Sequence, residues 1–242
     1  MDAPIAGGSR TVKAVLARLT STAIDLLFPL HCAGCRREGN LLCAACVDEL
    51  PRLSPPYCSS CASPNTLSPC RDCRGSPLAV DVIRAPFLMK GAIREAVHSL
   101  KYRGVRAAAP ELGRLLAKFL AGHPAAGEVL VPVPLHPRRY RSRGYNQSAL
   151  LARELAKVSG LAFEERLLAR ITNAPPQAGA ASRQQRRANV EGGFRCTGEV
   201  RGMKVVLVDD VATTGSTLSA GAAALKAAGA ASVWGLVLAR EG

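Results

Sequence analysis

The period of the apolar positions changes several times along the chain. Val12, Val15, Leu16, Leu19, Ala23, Leu26 and Leu27 recur at helical spacing and predict an amphipathic helix within residues 1–28. Residues 29–78 trade large apolar side chains for Cys, Pro, Ser and Gly, too little to bury a core without an external clamp. Val80, Val82, Arg84 and Pro86 then alternate with Asp81, Ile83 and Ala85, as in a strand or an extended linker. Ile93, Val97 and Leu100 place a helix over residues 90–102, and a second is expected over 110–121. Glu128-Val-Leu-Val-Pro-Val-Pro134 reads as a short apolar strand ended by prolines. A basic loop follows it, then a helix over 146–158. Residues 172–190 are polar and show no period, the signature of a long functional or mobile loop. Met203-Lys-Val-Val-Leu-Val-Asp-Asp210 has the pattern of a buried strand. A Thr/Gly/Ser loop leads from it to an Ala-rich helix over 218–228, which Gly229 caps, and residues 232–239 form the last strand. This alternation predicts an α/β fold with a parallel sheet. The expected divisions are a helix at 1–28, a small cysteine-rich domain at 29–78 and an α/β domain at 79–242; nothing repeats beyond the cysteine pairs.

Composition narrows the function classes. The 242 residues are 48% hydrophobic and 21% charged, which suits a folded chain and not a disordered one. No run of about 18 apolar residues exists, so no membrane span is expected. Arg18 and Asp25 interrupt the N-terminal apolar stretch, leaving no signal-peptide core and predicting a cytoplasmic protein. Only 4% of residues are aromatic, little material for an extended base-stacking platform. The net charge of +14 is uneven: residues 1–80 hold eight basic and six acidic side chains, residues 81–242 hold 24 and 12. Residues 129–153 and 166–190 each carry five Arg and no acid, so an anionic partner is expected of the C-terminal two-thirds.

Eight of the nine cysteines form four Cys-x-x-Cys pairs: Cys32/Cys35, Cys43/Cys46, Cys58/Cys61 and Cys70/Cys73. In a reducing compartment such pairs hold metal more often than disulfides. Two knuckles complete one tetrahedral zinc site, so four complete two structural ones, with no open position for catalysis. Sequential pairing is the simplest scheme, and crossed pairing satisfies the sequence equally. His31 abuts Cys32 but four thiol pairs make it unnecessary, and Cys196 reads as a small buried hydrophobe.

The sharpest chemical signal is Val205-Val-Leu-Val-Asp-Asp-Val-Ala-Thr-Thr-Gly-Ser-Thr-Leu218. An apolar strand delivers Asp209 and Asp210 to its C-terminal end, where open α/β sheets bind ligands. Thr213, Thr214, Gly215, Ser216 and Thr217 then form a small-residue loop that opens a helix and cradles phosphate with backbone N–H groups. It is neither a P-loop nor a dinucleotide turn. Phosphate beside paired carboxylates fits a sugar phosphate whose hydroxyls donate to the acids.

This stretch resembles the phosphoribosyl pyrophosphate (PRPP) signature of type I phosphoribosyltransferases. Together with Leu100-Lys-Tyr-Arg-Gly104, Val131-Pro-Val-Pro-Leu-His-Pro-Arg-Arg-Tyr-Arg-Ser-Arg-Gly-Tyr-Asn-Gln147 and the C-terminal Val-Leu-Ala-Arg240, it makes residues 26–240 similar to the ComF/GntX family. The resemblance implies a double zinc ribbon ahead of a phosphoribosyltransferase-like domain. It implies that Asp209 and Asp210 contact the ribose hydroxyls and that residues 213–217 hold the 5-phosphate. Arg138, Arg139, Arg141 and Arg143 would then line a pyrophosphate loop, with Mg²⁺ on the pyrophosphate. Arg170, Thr172, Gln177, Arg186 and Asn189 would belong to a hood over the site, Arg186 acting in catalysis. The chemistry agrees, because Arg makes strong bidentate contacts to phosphate and a pyrophosphate leaving group needs cations.

Two functions follow. One is a transferase moving ribose 5-phosphate from PRPP to an acceptor that the sequence does not identify. The other, implied by the family's association with natural transformation, is a PRPP-binding protein that handles incoming single-stranded DNA beside competence and recombination proteins. Positive charge and Tyr102, Tyr140 and Tyr145 near basic residues fit a nucleic-acid surface, although a PRPP cleft needs positive charge too and tyrosines also serve packing.

Overall fold

A computed structural model of the chain describes residues 30–123, 127–171 and 192–242. The N-terminal helix expected within 1–28, and the long loop with Thr172, Gln177, Arg186 and Asn189, lie outside these residues. In chain order the helices are α1 (Ala44–Asp48), α2 (Arg71–Gly75), α3 (Gly91–Tyr102), α4 (Ala108–Gly122), α5 (Pro137–Arg143), α6 (Gln147–Ser159) and α7 (Ser216–Ala227). The strands are β1 (Val82–Arg84), β2 (Phe87–Leu88), β3 (Val129–Pro132), β4 (Ala162–Phe163), β5 (Leu168–Arg170), β6 (Phe194–Cys196), β7 (Lys204–Ala212) and β8 (Ser232–Arg240).

Six strands form one sheet in the order β1-β8-β7-β3-β4, with β2 also against β8, and every pairing in it is parallel. This is the expected α/β architecture. The long strand β7 is its centre, because Val205, Val206, Leu207 and Val208 are all fully buried and only a strand covered on both faces tolerates such a run. Alternation divides those side chains between two cores. Val206 and Val208 pack with Leu236 and Leu238 against Ile93, Leu112, Leu116, Leu151 and Leu155 of α3, α4 and α6. Val205 and Leu207 pack with Val233 and Val237 against Leu218 and Leu225 of α7 and against Cys58, Cys61, Cys70 and Cys73. The second group of cysteines therefore shares a core with the sheet, across the boundary expected at residue 78.

Several boundaries move for physical reasons. β7 continues two residues past Asp210 because Val211 and Ala212 still pair with Ala239 and Arg240, so the acid pair lies inside the strand and not at its end. Ser216 and Thr217 belong to the first turn of α7, leaving Thr213, Thr214 and Gly215 as the connecting loop. The basic segment expected as a loop forms the helix α5. Pro137 is at its first turn, His136 Nδ1 accepts from the Arg138 N–H at 3.2 Å, and Gly144 ends it in the left-handed region. β5 and β6 form a two-stranded antiparallel sheet that three-residue apolar runs did not announce.

α4 and α6 cross closely because position 113 is glycine: a Cβ there would lie 2.4 Å from Glu154 Cβ. Gly113→Val should destabilise the fold by about 1–3 kcal/mol through overpacking. A thermal melt checks this, and an unchanged midpoint would contradict the close approach.

Candidate metal centres and phosphate site

The cysteines assemble sequentially into Cys32, Cys35, Cys43, Cys46 and Cys58, Cys61, Cys70, Cys73, with the sulfurs of each set within 4.8 Å of one another. This decides against crossed pairing. Each set joins a knuckle to a pair that opens a five-residue helix, Cys43 capping α1 and Cys70 capping α2. The Cys43 N–H donates to Cys32 Sγ and the Cys70 N–H to Cys58 Sγ, both at 3.4 Å. Cys35 and Cys43 sulfurs lie 3.6 Å apart, and those of Cys61 and Cys70 3.7 Å. Tetrahedral zinc with Zn–S bonds of about 2.3 Å requires a spacing of about 3.8 Å, so the donor sets fit two structural zinc ions. Burial pushes the Cys32 and Cys58 thiols up, but backbone N–H donors outweigh it and hold both at about 6. Those two sulfurs are thereby prepared as thiolate ligands. His31 stays outside the cluster, 3.7 Å from Glu38. Cys196 is only half-buried and its Sγ meets the Gly198 carbonyl at 3.3 Å, so it is not the core hydrophobe expected.

The second site is built on β7. Asp209 Oδ1 accepts from Ser148 Oγ at 2.7 Å and from the Asp210 N–H at 2.9 Å. Asp210 Oδ1 pairs with Lys101 Nζ at 2.9 Å. Asp210 Oδ2 is buried and has no hydrogen-bond partner among the described residues. Burial and the Asp210 charge push Asp209 up to about 7, against the opposing pull of Ser148 and Lys101. Burial works against the charge on Lys101, yet the Asp210 carboxylate outweighs it and raises the lysine pKa. Burial and Arg139 lower the pKa of Arg170 while Asp209 raises it, which places Arg170 within electrostatic reach of both. His136 is likewise lowered, by desolvation and then by Arg170, Arg138, Arg141 and Arg139. Of these cations, Lys101 and Arg170 are the two that act on the acid pair.

The loop after β7 is shaped by its own side chains. Thr214 Oγ1 and Ser216 Oγ are buried and 2.5 Å apart, and Thr214 Oγ1 also accepts from the Ser216 N–H at 3.3 Å. Gly215 adopts φ +79°, and a Cβ there would lie 2.8 Å from Ile83 Cδ1, so both the turn and the space require glycine.

The residues expected to bind phosphate do not all converge. Arg143 donates to Gln147 Oε1 and lies 5.5 Å over the Tyr102 ring, anchored at the side of α5. Arg138 is exposed on α5 and Arg139 half-buried beside Arg170. Tyr145 is buried and donates to the Leu100 carbonyl, so packing claims it. Arg186 lies outside the described residues. Sequence reasoning gave no role to Lys101 and Ser148. Lys101 was visible as the one cation closing the apolar face of α3, and Ser148 as a hydroxyl in the first turn of α6, but only the fold brings both to β7.

A double zinc ribbon domain model matches residues 23–74 and a phosphoribosyl transferase domain model matches residues 146–242. The DNA utilization protein YhgH of Salmonella typhi is 32% identical over 200 residues, spanning 79% of this chain and 87% of that protein. The chain belongs to the competence protein F (ComF) family. Competence protein F of Haemophilus influenzae is 29% identical over 237 residues, 86% of this chain and 97% of that protein. Among solved structures, the glutamine PRPP amidotransferase of B. subtilis complexed with ADP and GMP matches with 25% identity and a TM-score of 0.38, over 55% of this chain and 26% of that one.

Two outcomes are expected. Metal analysis of this ComF-family chain should give about two zinc per chain, and Cys43→Ser or Cys70→Ser should each remove about one; a value near one in the unsubstituted protein would contradict two tetrads. Because the folded pKa of Asp209 exceeds the usual carboxylate value, its stabilising contribution is present at low pH and lost as pH rises through about 7. Asp209→Asn keeps an oxygen for Ser148 and the Asp210 N–H, so it should gain stability relative to the unsubstituted protein between about pH 4 and 7. Denaturation midpoints across that range test this, and a constant difference would contradict it.

Proposed function

We propose that this protein binds PRPP or a closely related phosphate and acts in natural transformation, on single-stranded DNA. The observation that carries the ligand reading is Asp210 Oδ2, a buried acceptor without a partner among the described residues, next to Asp209 and a loop that opens α7. A buried polar atom of this kind is costly unless something completes it. A ribose hydroxyl donates to such an atom, and residues 213–217 offer backbone N–H groups and the helix N-terminus to a 5-phosphate. The same carboxylates suit Mg²⁺ bound with PRPP, which would neutralise pyrophosphate charge. Arg138 and Arg139 on α5, and Arg186 from the hood segment, are the cations assigned to the pyrophosphate in this reading, while Arg143 is held by Gln147 and Tyr102.

The DNA reading is supported by the relatives, whose names state DNA utilization and competence, and by a surface on this chain. Tyr102 is 71% exposed with Arg143 5.5 Å over its ring, and Tyr140, 51% exposed, shares α5 with Arg138, Arg141 and Arg143. Exposed rings between cations suit bases and backbone of a single strand. Competence and recombination proteins are the protein partners this role entails, in the cytoplasm. A second reading, catalytic transfer of ribose 5-phosphate, is favoured by one observation: Asp209 sits at about 7, near the working pH of a general base.

Calorimetry of PRPP with Mg²⁺ tests the ligand. Asp210→Asn preserves shape and should weaken binding by about tenfold to 100-fold, the loss of a hydrogen bond to a charged acceptor, while the protein stays folded; unchanged affinity sinks the assignment. Anisotropy of a labelled single-stranded oligonucleotide should show binding that falls with salt and that PRPP with Mg²⁺ displaces. Absence of binding near physiological salt would overturn the DNA role, and pyrophosphate release with a screened acceptor would establish the transferase.

A further inference from the structure

We propose that Arg240 is a positioning residue that ties the phosphate loop to the second cysteine tetrad, so that metal at that tetrad governs ligand affinity at the loop; the ligand part rests on the phosphate reading above. Arg240 closes β8 and is 1% exposed. A buried guanidinium is expensive and ordinarily answers a carboxylate. Among the described residues no carboxylate pairs with it, and it donates instead to four backbone carbonyls. Nε meets the Cys61 carbonyl at 2.9 Å, and Nη1 meets those of Ala212 at 3.0 Å, Glu241 at 2.8 Å and Thr213. One side chain therefore spans from a cysteine of the second tetrad to the last residue of β7 and the first residue of the loop. The planar, always-charged guanidinium suits such a fan, which no apolar residue of equal volume reproduces.

The neighbouring contacts run the same way. The Ile83 N–H donates to the Ser60 carbonyl at 2.8 Å, inside the Cys58/Cys61 knuckle, and Ile83 with Leu78 forms the floor under Gly215. The Ala79 N–H reaches Ser219 Oγ on α7 at 2.9 Å. The first tetrad faces elsewhere: the Leu42 N–H donates to Glu111 on α4 at 3.0 Å, and Leu41, Leu42 and Leu50 join the core of α3 and α4. The route from the first tetrad is longer: the Leu88 N–H donates to the Pro51 carbonyl at 2.7 Å and the Met89 N–H to the Arg240 carbonyl at 2.9 Å, which reaches the Arg240 backbone and not its guanidinium.

The test uses the full chain, with hydrogen exchange of the amides at 212–217, PRPP calorimetry with Mg²⁺, zinc content and thermal melts on each variant. Arg240→Met should speed loop exchange at least about tenfold and weaken PRPP by a similar factor, the scale of a lost charged hydrogen bond. Arg240→Lys keeps the charge with fewer donors, should restore part of both, and serves as the deciding variant if the Met variant does not fold. Cys70→Ser, which touches no Arg240 contact, should reproduce the exchange signature; Cys43→Ser should leave the loop unchanged while losing its own zinc. Loop exchange and PRPP affinity unchanged in the Arg240 variants would overturn the proposal, as would equal loop effects from Cys43→Ser and Cys70→Ser. If the unsubstituted protein binds no PRPP but loop exchange responds as stated, the linkage stands and the phosphate reading fails.

Discussion

Asp210, buried on the central strand one residue from a second carboxylate, meets the half-buried Lys101 of α3 at 2.9 Å. Two acids side by side in such a place repel one another and resist ionisation, and the strand tolerates them only because α3 and α6 supply partners. Lys101 neutralises one and Ser148 donates to the other, so the C-terminal end of α3 and the first turn of α6 are fixed relative to β7. The geometry of the site thus depends on helices far apart in sequence. It leaves Asp210 Oδ2 buried without a hydrogen-bond partner among the described residues, the acceptor that the proposed ligand would complete.

The metal tetrads enter this arrangement unequally. The second shares a core with β7, β8 and α7, and its cysteine backbone reaches Arg240. The first closes against α3 and α4 through Leu41, Leu42 and Glu111. Division into a ribbon and a catalytic-type domain is apt as evolutionary bookkeeping and less so as mechanics, because the sheet's lower core is partly made of cysteine.

Much of this was legible in the residues. The continuous apolar run from Val205 to Val208 and the helical spacing of Ile93, Val97 and Leu100 announced buried elements because burial imposes those patterns. The Cys-x-x-Cys pairs announced metal because two thiolates per tight turn is a local property. Pairing of the tetrads was not legible, since it depends on how two turns fold together. Nor was α5: Pro137 and the arginines read as loop, yet proline at a first turn and a left-handed Gly144 frame a helix. Lys101, Ser148 and Arg240 escaped functional assignment because their tertiary contacts span 27 to 179 residues, which no local pattern encodes.

The central claim is that the turn between β7 and α7 holds a sugar phosphate beside the acid pair. Titrating PRPP with Mg²⁺ into isotopically labelled protein and following backbone amide resonances tests it most directly. The account predicts saturable shifts concentrated on residues 209–217, with smaller ones at Lys101 and Ser148. Shifts concentrated elsewhere in the molecule, or none at millimolar ligand, would contradict it.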